Sequence, residues 1–265
     1  MKKNSDFIIS PSTLTKLIQL CWKQIYKFAL KRMNIGESGG DFTKSGELYF
    51  LKQLYKYYKN EASITIFDVG ANVGDYSKKV AEIFVENTTI YSFEPSKKTF
   101  ELFLNTTKNI NNIFPNNLGI SDNETKSILY SNNEGSGLAS IYNRKLDHFD
   151  IKMDRTEEIT LTTIDNFCAL NKIDKINFLK LDIEGHELSA LIGAKNMINE
   201  GKIDVIQFEF GGCNIDSGTY FKDFYYLLSE KYKLYRLLKH GVCELPQYQE
   251  LYEIFRIVNF IAIKK

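Results

Sequence analysis

The sequence predicts an α/β fold on a doubly wound, mostly parallel sheet, with a helical extension at the N-terminus. Three observations predict it. From residue 64 onward, short apolar runs alternate with stretches of helical periodicity, the rhythm of a parallel sheet covered on both faces. One of these runs, Ile64–Val69, passes through a Gly/Asn turn into a helical pattern. The next ends on an acidic residue, Glu94, 24 residues beyond Gly70 (94 − 70).

Taken in order, residues 11–33 place Leu14, Leu17, Ile18, Cys21, Ile25, Phe28 and Ala29 at helical spacing among Lys16, Lys23, Lys27, Lys31 and Arg32. A basic amphipathic helix of this kind suits packing on the domain, a homo-oligomer contact, or peripheral contact with a membrane. A Gly-rich break at 36–40 precedes a second helix over 45–59, striped by Leu48, Leu51, Leu54, Tyr55 and Tyr58. Residues 1–60 are therefore expected to form the extension and 61–265 the main domain. In that domain helices are expected at 76–85, 97–108, 187–199 and 220–231, and strands at 89–93, 113–120, 176–183 and 203–210. Residues 232–238 and 253–263 have no clear helix between them and are expected to pair antiparallel at the sheet's edge. Between 121 and 163 the rhythm fails. This segment, with short strands at 126–130 and 159–162, reads as an insertion beside the ligand cleft, and its loop 132–137 as a candidate lid.

Composition narrows the function classes. The 265 residues carry 34 Lys+Arg against 33 Asp+Glu, which argues against a protein built to hold nucleic acid. With 43% hydrophobic and 25% charged residues the chain can bury a sizeable core. Its four cysteines are scattered without a Cys-x-x-Cys pair, so neither a zinc knuckle nor a disulfide frame is expected. No apolar run reaches membrane-spanning length, and polar residues near Lys2 and Lys3 interrupt any leader-like apolar core. A cytoplasmic location is the simplest expectation.

The turn after the first strand reads Asp68-Val-Gly70-Ala-Asn72-Val-Gly74. Glycines let backbone approach a ligand, and the following helix start offers unpaired N–H groups. The dinucleotide fingerprint G-x-G-x-x-G would need glycine at 72. Here Asn72 stands there and a carboxylate, Asp68, lies beside the loop. That charge suits a ligand with a cationic amine better than a diphosphate, and S-adenosylmethionine, with its α-amino group and sulfonium, fits. Glu94 stands where doubly wound sheets place a ribose-binding acid.

A third signal is Phe178-Leu-Lys180-Leu-Asp182-Ile-Glu184-Gly185-His186-Glu187, a strand ending in clustered ionisable groups. A hydroxyl is a poor nucleophile at neutral pH, so O-methylation benefits from a positioned base. Asp182, Glu184 and His186 are candidates, as is Glu209 in Gln207-Phe-Glu209-Phe-Gly211. Glu187 also suits the positive end of a helix dipole. The acids and histidine resemble a hard-cation site, but no metal is predicted.

These residues resemble the FkbM-type methyltransferases, a branch of the class I S-adenosylmethionine-dependent enzymes. The resemblance covers roughly residues 43 to 263. It rests on residues 67–74, Phe93-Glu-Pro95, Gly119-Ile-Ser-Asp122, 178–187 and 207–216. It implies a seven-stranded sheet of order 3-2-1-4-5-7-6 with one antiparallel edge strand, and methyl transfer to a hydroxyl of a sugar, glycan or related metabolite. It also implies that Asp68, Gly70, Asn72 and Gly74 cradle the methionine part and that Glu94 binds the ribose. Ser121 and Asp122 would border the adenine, and Glu47 would close over the cofactor. Asp182 would face both cofactor and reaction centre. The alternatives are a nicotinamide-dependent oxidoreductase and a catalytically silent cofactor-binding subunit.

Overall fold

A computed structural model describes residues 11–36 and 42–265. Residues 37–40 of the expected Gly-rich break, and the N-terminal residues read for a leader, lie outside the described residues. Eight strands form one sheet. In chain order its strands are β1 (Ile64–Val69), β2 (Thr88–Phe93), β3 (Ile113–Asn116), β7 (Ile176–Leu181), β8 (Ile203–Phe210), β9 (Tyr232–Leu238), β10 (Gly241–Glu244) and β11 (Val258–Lys264). Across the sheet they lie in the order β10-β9-β11-β8-β7-β1-β2-β3. Without β10 this is the expected 3-2-1-4-5-7-6 arrangement. The antiparallel strand is not at the edge, however. β11 runs antiparallel to both β8 and β9 and lies between them, and β10 adds an antiparallel hairpin outside β9. A central β11 satisfies the backbone of both its edges and leaves the short β10 as the edge on that side of the sheet.

Alternation along β1 divides the core. Ile64 and Ile66 face one side, where α3 (Glu47–Tyr58), α4 (Asp75–Ile83) and α5 (Lys97–Thr107) supply Leu51, Val80 and Phe103. Phe67 and Val69 face the other, against Phe167, Leu191, Met197 and Phe224 of α6 (Ile164–Asn171), α7 (Glu187–Ile192), α8 (Lys195–Asn199) and α10 (Phe221–Leu228). The short α9 (Cys213–Ser217) follows the end of β8. Both faces are covered, so the strands read as continuous apolar runs.

Several expected elements are divided, each for a steric reason. The helix over 45–59 is α2 (Phe42–Ser45) and α3, broken at Gly46, whose φ is +91° and whose Cβ would lie 2.1 Å from the Leu238 carbonyl oxygen. The helix over 187–199 is α7 and α8, broken at Gly193, where a Cβ would meet the Ser121 oxygen at 2.0 Å. The strand over 113–120 is β3 in the large sheet and β4 (Gly119–Ile120) in a second one, where β6 (Arg155–Thr162) lies between it and β5 (Thr125–Ser131). Asn117 bends the chain between them by donating its Nδ2 to the carbonyls of Glu94 and Pro95. The second sheet is the expected insertion: β5 pairs antiparallel with β6. The N-terminal helix α1 (Thr13–Arg32) forms as expected, capped by Ser12. Among the described residues no helix is long and apolar enough to cross a membrane.

The order of the sheet reverses between β1 and β7, whose ends meet at Val69 and Leu181. There Gly70 has φ +85°, and a Cβ on it would lie 1.9 Å from the Asp182 carbonyl oxygen. Gly70→Ala is therefore expected to cost more than about 2 kcal/mol in urea unfolding, through backbone strain and clash together. Gly137→Ala, whose Cβ would meet nothing within 4 Å, should stay within about 0.5 kcal/mol.

Candidate active site

A cavity of about 380 Å³ opens at the carboxyl ends of β1, β2, β7 and β8, at the switch point where doubly wound sheets take ligands. Of the expected site residues, Gly70, Asn72, Glu94, Asp182, Glu184, His186 and Glu209 line it. Glu47, Asp68, Gly74, Ser121 and Asp122 do not.

Beneath the cavity lies a buried ammonium. Lys180, 3% exposed, donates to Asp182 Oδ2 at 2.8 Å and sits 4.5 Å from the centre of the Tyr76 ring. Burial alone would lower its pKa, but the carboxylates of Asp182, Asp68 and Glu47 outweigh burial and hold it above the usual lysine value. Asp68 accepts from Ser77 Oγ at 2.5 Å through one oxygen; the other, Oδ1, is buried with no partner among the described residues. Glu47 accepts from Ser45 Oγ at 2.7 Å and Gln207 Nε2 at 2.8 Å. Burial raises the pKa of both carboxyls, and Lys180 opposes the shift. Asp68 and Glu47 thus support the floor through Lys180.

On the rim, Asn72 adopts φ +48°, a left-handed conformation that asparagine tolerates. Its side chain explains the departure from glycine: Oδ1 accepts from Val73 N at 2.7 Å, and Nδ2 donates to the Ser136 carbonyl at 2.9 Å. The second bond ties the cofactor-type loop to the expected lid at 132–137. Glu94 accepts from the backbone N–H groups of Asn72 and Ser96, each at 3.0 Å. Burial against those bonds pushes its pKa up to about 7. Gly74 has a different task. It starts α4 at φ +93°, and a Cβ there would press on Phe103 and Thr107 of α5.

The other wall carries the acid cluster. Glu184, at φ +51°, pairs with Arg144. Burial pushes its carboxyl up to about 8, against the pull of Arg144. Arg144 also stands 3.6 Å from Asp216. Glu187 points away from the cavity: it accepts from the backbone of Ile183 at 2.9 Å and Gly185 at 3.0 Å, holding the turn that presents Glu184. His186 has both ring nitrogens engaged, Nδ1 by Tyr142 at 3.0 Å and Nε2 by Ser121 Oγ at 2.9 Å. Burial lowers its pKa to about 4, so the ring is neutral and pinned. Ser121 therefore acts behind the cavity, with Asp122 bonded to it at 3.1 Å. Glu209 is buried in the cavity wall, and its carboxyl has no hydrogen-bond or ion-pair partner among the described residues. Burial first, then Asp182, Glu184 and Glu187, raises its pKa far above the usual carboxylate value.

Glu184, Glu209 and Cys213 bring potential ligand atoms within 4.8 Å of one another. The set does not suit a hard cation, which takes six or more oxygens. One carboxylate is committed to Arg144, and burial pushes the Cys213 thiol up, away from thiolate.

Sequence reasoning missed the apolar wall contributed by the insertion, among it Leu129, Leu138, Ile141 and Leu161. It also missed Arg144, Tyr142 and Ser140, whose Oγ donates to the Glu184 carbonyl at 2.8 Å. These lie in a polar loop with no periodicity, and only the return of that loop over the sheet brings them to the site.

Known proteins align with this arrangement. Residues 68–237, from the end of β1 to the end of β9, match the Methyltransferase FkbM domain. The hexuronic acid methyltransferase AglP of Haloferax volcanii is 28% identical over 155 residues, covering 57% of this chain and 58% of that protein. The chain thus spans less than two thirds of that relative's length. Among solved structures, the O-methyltransferase from Bacillus cereus in complex with SAH is similar at TM-score 0.46 and 11% identity, covering 98% of this chain and 94% of that one. Precorrin-6y C5,15-methyltransferase from Geobacter metallireducens GS-15 is similar at TM-score 0.44 and 8% identity, over 89% and 96%. The matched segment covers well over half of the chain and contains every cavity-lining acid: the chain belongs to the FkbM methyltransferase family.

Proposed function

We propose that the protein is an S-adenosylmethionine-dependent O-methyltransferase that acts on a hydroxyl of a sugar, and that it works in the cytoplasm, where its four free thiols are at home. Bound S-adenosylmethionine supplies a methyl group activated by its sulfonium. The residues fit that group. Glu94 keeps lone pairs beyond its two backbone bonds for ribose hydroxyls. Pro95, Leu118, Ile120 and Leu161 line the cavity beside Glu94 with apolar surface suited to adenine. Asp182, backed by Lys180, suits the cationic amine at the Gly70 turn.

The observation that carries the O-methyl reading is the unpartnered Glu209 carboxyl. Asp182 is held by Lys180, Glu184 by Arg144, and both nitrogens of His186 by neighbours. Glu209 remains free to take a proton from a hydroxyl, and its raised pKa makes it a strong acceptor once ionised. Arg144 and Glu184 hold the turn beside it, and the apolar wall of the insertion suits the exclusion of water from a bound acceptor. Methylation of a carboxylate needs no base, whereas methylation of a hydroxyl does. The similarity to a hexuronic acid methyltransferase makes a hexuronoside the first acceptor to try.

Incubation with methyl-labelled S-adenosylmethionine and hexuronosides is expected to give an alkali-stable methyl ether. An alkali-labile ester would overturn the hydroxyl assignment, and absence of S-adenosylhomocysteine binding would overturn the cofactor. With that acceptor, Glu209→Gln should lower kcat by about 10²–10⁴-fold while calorimetry finds its S-adenosylhomocysteine affinity within about threefold of the unaltered protein.

Glu94 gives the binding a pH dependence of definite sign. Its pKa in the unliganded protein is about 7, and hydroxyl donors favour the ionised form, so bound ligand must expel the proton below that pH. S-adenosylhomocysteine affinity is expected to be flat above about pH 7 and to fall up to roughly tenfold per unit below it. Glu94→Gln should abolish the Glu94 share of that slope and weaken binding at least about tenfold at alkaline pH. A slope unchanged in the variant would remove Glu94 from the ribose.

A further inference from the structure

Helix α1 has no use in the site described above, and its surface is unlike the rest of the molecule. Every residue from 11 to 28 is exposed among the described residues, with Leu14 68%, Trp22 60% and Phe28 65% accessible. At 100° per residue, Leu14, Leu17, Ile18, Trp22, Ile25 and Phe28 fall within an arc of about 140°. Lys16, Lys23, Lys27 and Lys31 occupy the opposite roughly 80°, interrupted by Leu20. With Arg32 the helix holds five basic residues and no acidic one.

The far end is firmly rooted. Leu30 and Ile35 enter the core, Asn34 Nδ2 donates to the carbonyl of Ser45 at 2.8 Å and of Leu237 at 3.3 Å, and Gly36 N donates to the Ile257 carbonyl at 2.8 Å. Ile257 lines the cavity. The helix is therefore a projecting arm whose base adjoins the cavity wall.

We infer that α1 docks in the plane of an anionic membrane surface, its apolar arc in the acyl boundary and its lysines among the headgroups. Charge selects this occupant. A second copy laid on the apolar arc would set ten basic residues on two adjoining helices with no acid in either to offset them. Anionic headgroups neutralise the lysines, whose long stems reach them while the apolar arc inserts. Trp22 suits the interfacial depth. The inference is independent of the methyltransferase reading, since docking requires neither cofactor nor acceptor.

Flotation of the full chain tests it with two vesicle types, phosphatidylcholine alone and equal parts phosphatidylcholine and phosphatidylglycerol. The chain is expected to float with the mixed vesicles at low salt, to be released by high salt, and to bind phosphatidylcholine at least about tenfold less well. Neutralising each lysine should weaken partitioning about fivefold, so Lys16→Gln, Lys23→Gln and Lys27→Gln together should weaken it roughly a hundredfold. Trp22→Glu with Phe28→Glu should abolish flotation, while unchanged thermal unfolding shows the domain intact. No flotation of the unaltered chain overturns the inference, as does flotation indifferent to both sets of substitutions. Sedimentation at twice the monomer mass, lost in Trp22→Glu/Phe28→Glu, would overturn it in favour of a second copy.

Discussion

The ammonium of Lys180 is the constraint on which the rest of the site depends. It is buried beside carboxylates from three elements: Glu47 at the start of α3, Asp68 on β1, and Asp182 just beyond β7. Each of those acids would be costly to bury alone, and so would the lysine. Together they lock the helical layer, the central strand and the reactive turn into one register. Gln207 on β8 and Asn259 on β11 extend the bond network across the sheet, the first reaching Glu47 and both meeting each other at 3.2 Å. Removing the lysine would leave three acids facing one another without a counter-charge, which costs far more than the contact itself contributes.

The reactive turn then follows from spacing. Asp182 ends the strand, Glu184 takes a left-handed conformation, and Gly185 follows at φ +102°. Two successive left-handed residues turn backbone N–H groups inward, and Glu187 collects them. A dense acidic run can therefore divide its labour. One carboxylate rests on the buried lysine, one on Arg144, and one folds back to hold the turn. Strain at Glu184 is offset by these fixed partners, the usual condition for a strained residue at a functional site.

Much of this is legible in the amino-acid sequence. Strands β1, β2, β7 and β8 and the acids at their ends follow from apolar runs that stop at Gly or charge, because a strand buried on both faces leaves no choice of pattern. The order of the sheet follows from the resemblance. What is not legible has a common cause, contact between residues distant in sequence. Helix breaks at Gly46 and Gly193 arise from carbonyls of Leu238 and Ser121 that pack against them. β4 leaves the large sheet because β6, some forty residues later, offers a second one. His186 has the place of a base in its motif, yet Tyr142 and Ser121 reach it from the insertion and from β4's end and engage both of its ring nitrogens. Arg144 gives no local signal at all.

In the proposed reaction the same distances govern where negative charge can lie during methyl transfer. The sulfonium loses its positive charge as the methyl departs, so ionised carboxylates crowded at sulfur would favour the ground state over the transition state. In this cavity Asp182 rests on Lys180 and Glu184 on Arg144. Burial raises the remaining carboxyls, Glu94 to about 7 and Glu209 well above the usual carboxylate value. In the proposed reaction ribose hydroxyls favour the ionised form of Glu94, and Glu209 must be ionised before it can take the acceptor's proton. An ionised Glu209 then carries its unmatched negative charge only until the acceptor hydroxyl gives up its proton to it, so the group becomes neutral as the acceptor oxygen takes the methyl and the sulfonium is discharged.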